Sequence, residues 1–88
     1  NAGNPQFRHS FRQYLWFGDG SMFTESDDSR LDVSYRRIES LECENSRFIL
    51  NMEAGKRIVL EKKNFLEGNP NDFESFLRGK MAEELLWS

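Results

Sequence analysis

The chain has one cysteine, one histidine and two prolines in 88 residues. One cysteine forbids an internal disulfide, so covalent cross-links do not hold the fold, and a reducing compartment such as bacterial cytoplasm suits it. One histidine, His9, with no second His or Cys at ligand spacing, gives no metal site. No run approaches the ~18 consecutive apolar residues of a membrane span, and no secretory leader pattern is legible. An excess of positive charge is missing too. The net charge is −3 and the calculated pI is 5.1, so the overall field that nucleic-acid binders use is absent.

Catalytic patterns are equally scarce. No nucleophile elbow surrounds a serine. Asp27-Asp28 and Glu83-Glu84 are paired in sequence only, whereas acid–base chemistry needs two groups converging on a cleft. Gly18-Asp19-Gly20 reads as a turn rather than a phosphate cradle. These residues give no catalytic role, no cofactor site and no metal site.

What is present is aromatic surface and alternation. Eight Phe, two Trp and two Tyr supply large buried area per residue, which lets one small domain form a core. Asn1-Ala2 resembles the remnant of a cleaved tag, leaving residues 3–88 as one domain and room for natural sequence upstream. Residues 1–9 are polar apart from Phe7 and read as loosely held, with His9 facing solvent.

Ser10 to Phe17 reads as an extended, aromatic-rich strand. Asp19-Gly20 then predicts a type I′ hairpin turn, with Phe17 opposite Met22 and Trp16 opposite Phe23. Both faces of this hairpin carry apolar groups, so either can be the buried one. Ser26 to Ser29 predicts a second turn, after which Leu31, Val33 and Tyr35 share one side. Ile38 and Leu41 break the period of two, which predicts a helical turn or kink between Tyr35 and Glu39.

The next three strands agree on one apolar face: Leu41 and Cys43, Phe48 and Leu50, Ile58 and Leu60. Turns at Asn45-Ser46 and Glu53-Ala54-Gly55 set this register, with Gly55 in a left-handed conformation. Cys43 is therefore expected as a small core residue. Lys62 to Gly68 reads as a connection. Asn69 as N-cap and Pro70 at the first helical position predict a helix from Pro70 to about Leu86, with Phe73, Phe76, Leu77, Met81 and Leu85 recurring at helical spacing. The expected fold is α+β, mainly β: a small barrel or sandwich of six to seven antiparallel strands capped by one C-terminal helix.

One local charge anomaly stands out. Lys56, Arg57, Lys62 and Lys63 lie within eight residues, with Arg36-Arg37 as a second pair. Gathered together, they would form a patch for anionic lipid headgroups or an acidic partner. As edge-strand residues they would only deter strand addition. Trp87 is a further contact candidate near the terminus.

The stretch from Asp32 to Met81 resembles the bacterial YcxB-like family. The resembling pieces are residues 33–38 (VSYRRI), 47–52 (RFILNM), 58–65 (IVLEKKNF) and 73–77 (FESFL), with Tyr35 and Glu61 where the family commonly carries Trp and Pro. The resemblance implies a pleckstrin-homology-like fold, no established activity, and a cytoplasmic domain attached to a membrane-associated parent. It suits a non-enzymatic domain binding a protein or peptide partner, near a membrane through segments outside this chain and without nucleic acid. The alternative is an anionic-lipid surface sensor using Lys56, Arg57, Lys62 and Lys63.

Overall fold

Alternation and tight turns produce two antiparallel sheets, as seen in a computed structural model that describes residues 6–11 and 13–86. The strands are β1 (Phe7–Phe11), β2 (Gln13–Phe17), β3 (Met22–Glu25), β4 (Arg30–Val33), β5 (Ile38–Cys43), β6 (Arg47–Met52), β7 (Arg57–Glu61) and β8 (Phe65–Glu67). The larger sheet has the order β4-β3-β2-β1-β8 and the smaller one β5-β6-β7. Helix α1 (Pro70–Leu86) follows. Among the described strands no closed barrel forms, since β4, β8, β5 and β7 all end a sheet.

The smaller sheet keeps the expected register. Leu41 pairs with Leu50, Cys43 with Phe48, Leu50 with Ile58 and Phe48 with Leu60. Leu41, Phe48, Leu50 and Leu60 are buried on that shared face. The phase slip before it is a 3-10 turn at Tyr35–Arg37, capped by Ser34, whose Oγ accepts from the Arg36 N–H at 3.1 Å. In the first hairpin Phe17 pairs with Met22 and Trp16 with Phe23. Leu15, Phe17 and Met22 are buried, so Tyr14, Trp16 and Phe23 point outward.

Eight strands form where six or seven were expected. Phe7–Phe11 is a strand rather than a loose lead-in, and it reverses into β2 with Phe11 opposite Gln13. No Gly, Asn or Pro marks that reversal, so the two strands read as one. His9, expected to face solvent, is 1% exposed because it lies on the inner face of β1 opposite Leu15. Phe65–Glu67 is a strand rather than a connection, bonded to β1 through Arg8–Glu67 and His9–Phe65. Three residues carry too little periodicity to announce themselves.

Two turns exchange the expected chemistry. Gly18 N–H donates to Ser21 O at 3.0 Å, but neither Asp19 nor Gly20 lies in the left-handed region that a type I′ turn requires. Tertiary bonds hold this loop instead. Tyr35 Oη donates to Gly18 O at 2.7 Å, and Gln6 Nε2 donates to Asp19 Oδ1 at 2.6 Å. The paired positive φ values occur at Ala54 (62°) and Gly55 (74°).

The helix runs as its sequence predicts. Asn69 Oδ1 accepts from the Asn71 N–H at 2.9 Å, capping it. Phe73 and Leu77 are buried and Phe76 and Met81 half-buried, while Leu85 is 77% exposed past the edge of the core. Gly68 makes the approach to the helix possible: at φ 83°, a Cβ there would sit 2.5 Å from the Phe7 ring. Cys43, expected in the core, is exposed. It keeps the inward parity of Leu41, but it ends its strand beside the polar helix residues Glu74 and Arg78. Asn1-Ala2 and Trp87 lie outside the described residues.

Gly79 is exposed within α1, and a Cβ there would meet nothing within 4 Å. Gly79→Ala is therefore expected to stabilise the domain by about 1 kcal/mol through helix propensity. A shift of the urea midpoint upward with unchanged slope checks it.

Candidate functional site

The sandwich is open along β4. The Ser26 N–H donates to Ser29 O at 2.9 Å, which makes that pair hydrogen-bonded. By alternation Leu31 and Val33 direct their backbone groups to β3, and Arg30 and Asp32 direct theirs away from the sheet. Among the described residues no strand follows β4 on that side. Leu31 lies on the inner face yet is 63% exposed, because its neighbours there leave a mouth between the sheets.

That mouth is a groove of about 340 Å³. Leu31 and Val33 line one wall, and Met52 and Ile58 the other. Arg37, Lys56 and Arg57 rim it, with Glu53 as the one carboxylate among its lining residues. Arg37 reaches Glu53 only at 3.8 Å, with both side chains exposed, a weak pairing that leaves the rim positive. An apolar floor, a cationic rim and unpaired backbone groups thus converge on one edge.

The four basic residues singled out in the sequence divide. Lys56 and Arg57 enter β7 at the groove, while Lys62 and Lys63 form a 3-10 turn beyond its far end. Lys56 and Lys62 stand roughly 20 Å apart along the chain at ~3.3 Å per residue. Lys62 Nζ lies 5.1 Å from the Phe48 ring centroid. Arg37, absent from that set of four, joins Lys56 and Arg57 because the 3-10 turn at Tyr35–Arg37 delivers it there. Its signals in the sequence were the basic pair Arg36-Arg37 and the phase slip at Ile38.

A second feature escaped the sequence reading: an aromatic and arginine row across the outer face of the larger sheet. Trp16 and Phe23 stack at 5.9 Å with an interplanar angle of 13°. The Arg8 guanidinium covers Trp16 at 4.5 Å, and Arg30 covers Phe23 at 3.9 Å. Trp16 Nε1 donates to Glu25 Oε1 at 3.3 Å. With its ring faces occupied by its own arginines, the row covers the sheet rather than offering a free stacking platform.

Besides a small hollow of about 170 Å³ between Asp19 and Glu83, two larger ones stand out. One of about 410 Å³ lies beside Tyr14 among Ser10, Gln13, Glu25, Ser26 and Asp27, without an aliphatic floor. The other, of about 290 Å³, lies beside the helix between Ile38 and Met81. The second borders Ile38 and Glu39 of β5, which also ends a sheet, but helix α1 packs against that strand.

Titratable groups give little chemistry. The Cys43 thiol is held above its ordinary value by desolvation where the helix passes, and then by the Glu74 carboxylate, which disfavours the nucleophilic thiolate. Burial pushes the Tyr35 hydroxyl up strongly, with Asp19 and Glu83 adding to it. Among the described residues, no three His, Cys, Asp or Glu side chains gather where a metal ion could sit. No described helix is long and apolar enough to cross a membrane. Compared with known proteins, the chain matches no family model, no curated protein and no solved structure.

His9 is the buried exception. Among the described residues neither ring nitrogen has a hydrogen-bond partner, and Phe65 stands edge-on at 5.3 Å. Burial lowers its pKa, opposed by the backbone and charge of Glu61. The unfolded chain therefore binds more protons than the folded one just below the ordinary His value of ~6.5, and stability falls as pH drops through that window. The loss is at most about 1.4 kcal/mol per pH unit. Denaturation midpoints compared at pH 7.0 and 5.5 should fall more for the wild type than for His9→Leu; equal falls would remove His9 as the cause.

Proposed function

We propose that the chain is a non-enzymatic interaction domain that captures an extended protein or peptide segment along β4. The observation that carries this reading is the alternation leaving Arg30 and Asp32 with outward backbone groups beside a groove with an apolar floor. An added strand would bond to that edge, place aliphatic side chains at alternate positions beside Leu31 and Val33, and meet Arg37, Lys56 and Arg57 with a carboxylate at the next groove-facing position. Main-chain bonds supply affinity, and the rim charges favour an acidic segment over a basic one.

Two antiparallel sheets with a C-terminal helix support a pleckstrin-homology-like reading of the fold. With it goes the proposed kinship to the YcxB-like family, and a cytoplasmic place on a membrane-associated parent. Fold analogy supplies no activity of its own. The separation of Lys56 and Arg57 from Lys62 and Lys63 favours the peptide reading over the lipid-sensor alternative.

Asp32→Pro tests the edge cleanly, because the N–H it removes faces away from the sheet. An extended peptide with Val, Val and Asp at successive groove-facing positions, separated by Thr, should bind the wild type, and lose affinity about tenfold or more with Asp32→Pro or Arg57→Glu. The same peptide with Lys for Asp should bind poorly. Equal binding by both variants would overturn the reading. So would anionic vesicles bound in a way that Lys62→Glu with Lys63→Glu abolishes and Asp32→Pro does not.

A further inference from the structure

The open edge is complementary to itself. Its sequence runs from acidic to basic: Asp27 and Asp28 occupy the turn before β4, and Arg36 and Arg37 occupy the turn after it. Antiparallel pairing of two such edges always brings the head of one to the tail of the other. Within the strand, Arg30 and Asp32 flank Leu31 symmetrically and share the outer face.

We propose that two copies of this chain pair antiparallel through β4, about a twofold axis passing between their Leu31 residues. The inference rests on β4 being the recognition edge and names a second copy as its occupant. Backbone parity allows it. Arg30 and Asp32 carry the outward-facing groups, so Arg30 of one copy and Asp32 of the other form a hydrogen-bonded pair, and the symmetric pair repeats it. Leu31 then meets Leu31 of the second copy in the closer, non-bonded type of pair, covering a side chain that is 63% exposed in the single chain. On the outer face each Arg30 guanidinium stands opposite an Asp32 carboxylate.

The same register sets Asp28 of one copy opposite Ser34 of the other, next to Arg36 and Arg37. A one-residue slip in either direction would misalign the bonding groups and put Leu31 opposite a charged neighbour. The rival contact within one chain is slight: Arg30 Nε lies 3.4 Å from its own Asp32 Oδ1, and both side chains are more than half exposed. Being isologous, the contact closes on itself and does not build fibres. β4 is only four residues long, so the interface belongs to the small, weak class.

Charge exchange tests this. Sedimentation equilibrium from about 10 μM to about 1 mM, the range in which small interfaces associate, should show mass rising from 10.4 kDa toward twice that value. Arg30→Asp alone and Asp32→Arg alone each place two like-charge pairs at the axis, and each should weaken association about tenfold or more. Mixing those two variants should restore it as a one-to-one heterodimer, because one edge is then wholly acidic and the other wholly basic. The double exchange in a single chain should restore the homodimer. Circular dichroism melts establish that each variant stays folded.

A monomer at the highest concentration, or a dimer indifferent to these exchanges, overturns the proposal. If the monomer still binds the Val-Asp peptide, only the self-pairing fails and the edge reading stands. If the mixed variants associate while the peptide does not bind, self-pairing stands and the peptide reading fails.

Discussion

The first turn of the helix drives one phenylalanine between the two sheets, and the architecture depends on that insertion. Phe73 is wholly buried. Its ring lies 4.9 Å from Phe17 in β2 and 4.9 Å from Phe48 in β6, so it touches both sheets at once. Phe7 and Phe65 approach it at 5.2 Å each. Most of these contacts are edge-to-face or tilted, the geometries that ring quadrupoles favour. Two sheets too small to bury their own inner faces thereby share one core. The Asn69 cap, Pro70 and Gly68 aim the helix so that Phe73 arrives there.

The same insertion explains why the opposite side gapes. Helix, aromatic cluster and the buried Tyr35 fill one end of the sandwich, with Tyr35 bonded to Gly18 across it. Toward β4 the inner face carries Leu31 and Val33, which leave a hollow between themselves and Met52 and Ile58. The groove, the exposed Leu31 and the unpaired backbone of β4 are consequences of a core concentrated at one end. Binding by strand addition and pairing of two copies are two ways of satisfying the same unpaired groups. Short length and the charges of Arg30 and Asp32 limit that edge to weak or selective contacts.

Legibility in the sequence followed the strength of local periodicity. The register of β5, β6 and β7 was readable because alternating Leu, Phe and Ile specify one face and tight turns fix the offset. The helix was readable from its cap, its proline and its aromatic spacing. β1 and β8 were not, since β8 pairs only with the distant β1 among the described strands, no turn signal separates β1 from β2, and neither carries a clean alternation. His9 was misplaced with them: a polar residue enters a core when its strand parity demands it, and parity cannot be read without the strand. Cys43 shows the reverse, an inward parity cancelled by its position at a strand end. Of the groove, Lys56, Arg57 and Arg37 were visible as charges, whereas their gathering and the aliphatic floor depend on the meeting of β4 with β7.

Truncating the inserted ring tests the central claim most directly. Phe73→Ala should cost about 3–5 kcal/mol, a large share of what holds a domain of this size. Amide hydrogen exchange should accelerate together in β1–β3 and in β5–β7, because one wedge joins both sheets. A loss under about 1 kcal/mol, or protection retained in β5–β7 while β1–β3 opens, would mean that the sheets stand without it.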